Sequence, residues 1–186
     1  MRLKRQFYYV LTIFAIVGLT SCGSLGKVTT LNPNTGRFPA KKKTINIINK
    51  TSVNADTLKT LIIVPDTPYW IGMVQNMKFF NEVMTMDELE KDIIKKGLTE
   101  QIPTLSNYNG LKKAYKYYKP FVIIMLTEEK KSNGSWYVGF ELFDPSRVDK
   151  IFQNEIHINQ IWSDWTDRGT MYPLFNSLLD YLTEQK

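Results

Sequence analysis

Two side chains are unique of their kind in this sequence and are reactive: the thiol of Cys22 and the imidazole of His157. A zinc site built on nitrogen and sulfur needs three or four such ligands, and one of each cannot supply them. A serine nucleophile would have to recruit His157, yet no serine sits in the strained Gly-x-Ser-x-Gly turn that presents such a hydroxyl. His157 is therefore read as a strand histidine, satisfied or facing solvent, in the alternation Glu155-Ile156-His157-Ile158-Asn159. Asp87, Glu88 and Glu90 are close enough for paired acid–base work, but in the first turn of a helix acidic residues already serve the positive end of its dipole. Gly23-Ser24-Leu25-Gly26-Lys27 imitates a phosphate loop without the spacing, the preceding strand or the Ser/Thr after the lysine. No metal, cofactor or nucleic acid is expected.

Cys22 is left with a chemistry to explain. Ahead of it runs a basic start, Met1 to Gln6, then an apolar stretch from Phe7 to Leu19. Thirteen residues fall short of the roughly 20 that a spanning helix needs, and the layout is that of a secretory signal. An unpaired thiol in an exported protein invites intermolecular disulfides. Leu19-Thr20-Ser21-Cys22 resembles the lipobox of bacterial lipoproteins, in which an aliphatic and two small residues precede the cysteine that is acylated and becomes the first residue. The resemblance implies two or three acyl chains on Cys22 and lasting attachment to one leaflet, since each buried methylene contributes about 0.8 kcal/mol. Gly23 stands where an aspartate would mark inner-membrane retention, and no acidic cluster follows to mark surface export. The expectation is a lipid-anchored protein of the cell envelope, on the periplasmic face of the outer membrane.

Three expected segments follow: a signal over 1–21, a tether over 22–43 and one globular domain over 44–186. Cleavage before Cys22 would leave 165 residues, enough for a sizeable core. It would also lower the formal charge from +6 to +3, so the basic balance belongs in part to a discarded segment. The tether is read from absent apolar periodicity, the turn chemistry of Asn32-Pro33-Asn34-Thr35-Gly36 and Lys41-Lys42-Lys43. As a coil of about 20 residues it would reach roughly 25 Å.

Within the domain, 44–48 is a candidate first strand and Leu61-Ile62-Ile63-Val64 a buried one, ended by Pro65. Trp70, Met73, Val74 and Met77 recur at helical spacing, and 79–83 reads as an edge strand. Thr85 and Glu88 form a capping-box pattern, with Leu89, Ile93, Ile94 and Leu98 as the buried face. Ser106 is expected to cap a helix over about 107–119, whose lysines 112, 113, 116 and 119 form a basic face. Phe121–Leu126, the alternating Trp136–Phe143 and 150–162 read as three strands joined by short turns. Met171–Gln185 carries an amphipathic stripe that covers a sheet face. The fold class is α+β: a single domain with a mixed sheet containing an antiparallel three-strand meander, packed against two to four helices.

This order of elements resembles the compact α/β domain of outer-membrane assembly lipoproteins, the TolB amino-terminal domain and the LpoB/CsgG group. The likeness lies in the Leu61–Val64 strand, the helix after Thr85, Pro120-Phe121-Val122-Ile123-Ile124 and the hairpin at Asp144-Pro145-Ser146. It concerns fold, and fold does not confer function. With no catalytic constellation, the leading expectation is a non-enzymatic interaction or assembly module with an envelope protein as partner. The candidate partner-binding residues are Tyr69, Trp70, Met73, Met77, Phe79 and Phe80, because methionines and aromatics suit adaptable surfaces; the same stripe more often packs a helix onto its own core. The alternatives are a cell-wall or glycan hydrolase or binder using carboxylates and aromatics, and a carrier of a small ligand in an apolar pocket.

Overall fold

The structure, a computed structural model, describes residues 26–41, 43–159 and 166–185. Among them, strands β1 (Asn46–Lys50), β2 (Thr60–Val64), β3 (Glu82–Thr85), β4 (Val122–Lys130), β5 (Trp136–Asp144) and β6 (Asp149–Ile158) form one sheet in the order β1-β6-β5-β4-β2-β3. Strand β2 runs parallel to both β3 and β4, while the other pairs are antiparallel. The expected β4-β5-β6 meander is therefore the middle of a larger mixed sheet. It is extended by β1 on one side and by the parallel pair β2–β3 on the other. Four α-helices complete the α+β fold: α1 (Pro68–Asn76), α2 (Met86–Lys95), α3 (Tyr108–Tyr117) and α4 (Tyr172–Glu184). Parallel strands need a crossover, and α1 supplies the one between β2 and β3.

Period-two alternation divides the apolar residues between two cores. Leu61, Ile63, Val122, Ile124, Phe140, Leu142 and Ile156 face a core closed by α1 and α4. Ile62, Ile123 and Phe143 face a second core closed by α2 and α3. Cover on both faces explains why β2 and β4 read as unbroken apolar runs. Asn154 is fully buried and tied at both ends: its Oδ1 accepts the Phe140 amide at 2.9 Å, and its Nδ2 donates to the Leu174 carbonyl at 3.1 Å. It thereby joins β5 to the start of α4. Gly139 lies opposite Glu155, and a Cβ there would fall 2.0 Å from the Asn154 carbonyl oxygen.

Local punctuation explains the boundaries. Thr85 and Glu88 make the full capping box, with reciprocal bonds of 2.8 and 3.1 Å. The cap of α3 is Asn107 rather than the expected Ser106: Asn107 Oδ1 accepts the Gly110 amide at 2.8 Å, while the Ser106 hydroxyl is engaged with Thr104. Strand β1 lies two residues later than expected. The edge strand is β3 at 82–85 rather than 79–83, because Asn81 and Glu82 bond back to the Lys59 carbonyl before pairing begins. Trp162, expected on the last strand, lies outside the described residues.

The largest departure concerns the expected tether. Residues 26–41 pack along the α1/α4 face of the domain. Phe38 is 2% exposed, and its ring meets Tyr172 and Phe175 at centroid distances of 6.0 and 5.8 Å. Asn176 on α4 receives the Phe38 amide at 2.8 Å and donates to its carbonyl at 3.0 Å, like one rung of a ladder. Further along, Lys41 donates its amide to the Arg168 carbonyl, and Arg37 pairs with Asp180. Turn-rich composition hid this packing because backbone groups carry many of the contacts, with apolar surface from Phe38, Leu31 and Ala40 and the Val28 methyls lying over Gly72.

Candidate functional site

The site begins where the described chain begins. The amides of Gly26 and Lys27 both point at the carboxylate of Asp167, at 3.3 Å to Oδ1 and 3.0 Å to Oδ2. Tyr69, at the start of α1, donates its hydroxyl to the same Oδ1 at 2.9 Å. Tyr172 then donates to the Lys27 carbonyl at 3.1 Å, and Asn76 to that of Thr29 at 2.8 Å. Asp167 is 3% exposed and opens the single π-helical turn, Asp167–Met171, that leads into α4. Thr166 caps that turn by accepting the Gly169 amide at 3.1 Å. Asp167 is thus a clasp: one buried carboxylate holds the incoming chain against both helices of this face.

Electrostatics reinforce the clasp. Burial, and after it the Asp167 charge, pushes the Tyr69 hydroxyl far above the ordinary tyrosine range. Tyr69 therefore remains a neutral donor, as the bond requires. Burial and then the Asp167 charge raise Tyr172 as well. Three donors converge on its two oxygens, so Asp167 holds the chain at this point.

Beside the clasp lies a pocket of about 240 Å³, lined by Gly26, Tyr69, Trp70, Leu126, Glu128 and Val138 among others. It meets part of the condition for the hydrolase alternative, since Glu128, Asp167 and Trp70 all line it. Of the two carboxylates, Asp167 is already bonded to Gly26, Lys27 and Tyr69. Sequence reading missed Asp167 altogether. Its signal, a Thr-Asp pair just ahead of a helix, looks like ordinary capping, and its partners lie 140 and 98 positions away.

The six candidate partner-binding residues separate. Trp70 is 6% exposed and packs on Phe140 and Phe175 at 5.1 and 5.4 Å. Met73 and Met77 are buried in the same core. These three are structural, because a helix laid across a sheet buries its apolar stripe. Tyr69 belongs to the clasp. Phe79 and Phe80 are half-buried and meet edge-to-face at 5.2 Å beside β3, with the Lys59 ammonium 4.0 Å from the Phe79 ring centre.

The remaining reactive candidates find ordinary places. His157 is exposed on β6, with its ring 5.1 Å from that of Tyr137. Asp87 pairs with Lys91 at 2.6 Å and Glu88 completes the capping box, so neither is free for acid–base work. On the expected basic face, Lys119 is drawn to Glu82. Among the described residues no group of three or more His, Cys, Asp or Glu is placed to hold a metal ion, and no helix is long and apolar enough to cross a membrane. Cys22 lies outside the described residues.

No protein-family profile matches this chain, and no curated protein does. Among solved structures it is similar to a PelC dodecamer from Paraburkholderia phytofirmans, with 12% identity, 75% of this chain and 96% of that chain covered, and a TM-score of 0.36. A second PelC dodecamer from the same organism gives 10% identity, coverage of 75% and 98%, and a TM-score of 0.35. A lipoprotein of Neisseria meningitidis gives 12% identity, coverage of 68% and 95%, and a TM-score of 0.33.

Proposed function

We propose that this chain is an envelope lipoprotein, acylated on Cys22 and held at the periplasmic face of an outer membrane, whose domain is a non-enzymatic module for binding or assembling another envelope protein. The observation that carries this reading is the Asp167 clasp. It grips the chain at Gly26 and Lys27, only four and five residues beyond the one cysteine, with a buried carboxylate and two tyrosines. A segment that merely linked a discarded leader to the domain would have no need of such a mooring. A point of attachment that fixes the domain's distance from a lipid would. Anchoring keeps the domain at a fixed short distance from a bilayer, which suits a component acting on neighbours there.

The accessible remnant of the aromatic segment, Phe79 and Phe80, is the proposed partner surface. A photoreactive residue at either position, introduced into the full chain in cells, should give one discrete crosslinked adduct containing a second envelope protein. The same residue at buried Trp70 should give none. Adducts absent at both phenylalanines, or equally abundant at Trp70, would remove that surface from the account.

A further inference from the structure

The clasp fixes more than distance. Gly26 lines the same pocket as Leu126 and Glu128 of β4, Val138 of β5 and Ile158 of β6, so the chain enters at the end of the sheet where β4 finishes and β5 begins. The β4–β5 turn, residues 131–135, is therefore a near neighbour of the entry point. From Glu128 to Lys130, the last paired residue of β4, the strand advances only about 7 Å. Three residues separate Cys22 from Gly26, so the four steps between the two Cα atoms span at most about 14 Å. Any lipid on Cys22 must lie close to this end.

The turn is furnished to meet it. Trp136, which opens β5, is 41% exposed, the one tryptophan among the large exposed apolar residues of the described chain. It lies on the same sheet face as Val138 and Ile158, the face that carries the clasp. The Lys130 ammonium stands 5.8 Å from its ring centre, within cation–π range. Amphipathic rings of this kind settle at the headgroup level of bilayers, with long cationic side chains reaching for the surface beside them. The turn has no net positive charge, because Glu128 and Glu129 precede Lys130, and Lys131 is paired with Glu155 at 2.6 Å.

We infer that the β4–β5 turn is the membrane-facing end of the domain, with Trp136 and Lys130 seated in the headgroup layer beside the lipid on Cys22. This rests on the anchor reading above and adds an orientation to it. The contact is aromatic rather than electrostatic, so it holds in zwitterionic as well as anionic bilayers.

Acylation consumes the only native thiol, which gives a clean test. The acylated full-length product is purified from cells as Ser132→Cys, on the β4–β5 turn, and as Ser146→Cys, on the β5–β6 turn. Each is labelled with a fluorescent maleimide and reconstituted into phosphatidylcholine vesicles containing headgroup-nitroxide lipid. The nine residues of β5 set the two turns about 30 Å apart, so label at 132 should be quenched at least threefold more than label at 146. Adding Trp136→Ala to the Ser132→Cys protein should at least halve that difference. Equal quenching at the two turns, or stronger quenching at 146, overturns the orientation. A second label found on Cys22 overturns the anchor itself, an outcome read by mass and separable from the first.

Discussion

One carboxylate and its phenol organise the entry of the chain, and the chemistry of that pair is read in alkali. Tyr69 is held protonated by burial and by Asp167, and burial pushes Tyr181, which donates to the Thr51 carbonyl at 2.8 Å, up to about 12. Both hydroxyls keep their proton in the folded state above the pH at which an unfolded tyrosine, at about 10, releases it. The unfolded state then binds fewer protons, so stability falls as pH rises. The tyrosine contribution is fully present below pH 10 and is lost over the window from 10 to about 12 for Tyr181, and further for Tyr69. Denaturant titrations of Tyr69→Phe and Tyr181→Phe between pH 8 and 11 should each show a shallower alkaline decline than the parent. An unchanged slope in both variants would mean that neither hydroxyl is protected. At this scale the sequence was least informative. Asp167 and Tyr69 are separated by 98 positions, and nothing local distinguishes a clasping aspartate from a capping one.

Elements were far more legible, because each is written in a short stretch. The capping box before α2, the apolar runs of β2 and β4, the alternation in β5 and the stripe of α4 all appear where propensity and pattern place them. What pattern could not convey was which residues beyond the periodic stretches also pack. Segment 26–41 is held by Asn176, Arg168 and Asp180 acting on its backbone and on Arg37, with Phe38 as its buried side chain. Phe38→Ala should destabilise the domain by about 3–5 kcal/mol, the usual range for emptying a buried phenylalanine site. Equilibrium urea unfolding measures it directly. A change within about 0.5 kcal/mol, as expected of an exposed position, would restore the flexible tether. For Trp70, Met73 and Met77 the composition suited a partner surface while the helical spacing favoured a core stripe, and all three are buried in the core.

Across the whole molecule, the sheet with helices on both faces leaves one end distinguished from the other. At that end the clasp, the 240 Å³ pocket, Trp136 and the β4–β5 turn gather around the point where the chain arrives from Cys22. If Cys22 carries the proposed lipid, the link to the clasped Gly26 is three residues rather than about twenty, and the reach from a bilayer shrinks accordingly. Phe79 and Phe80, the proposed partner surface, lie half-buried beside β3 at one edge of the same sheet. All of this depends on what is attached to one sulfur. The decisive measurement is the mass and fragmentation of the amino-terminal peptide of protein purified from cells. The account predicts a chain that starts at Cys22 and carries diacylglycerol on Sγ, whereas a free thiol at that position, or an intact Met1 terminus, would contradict it.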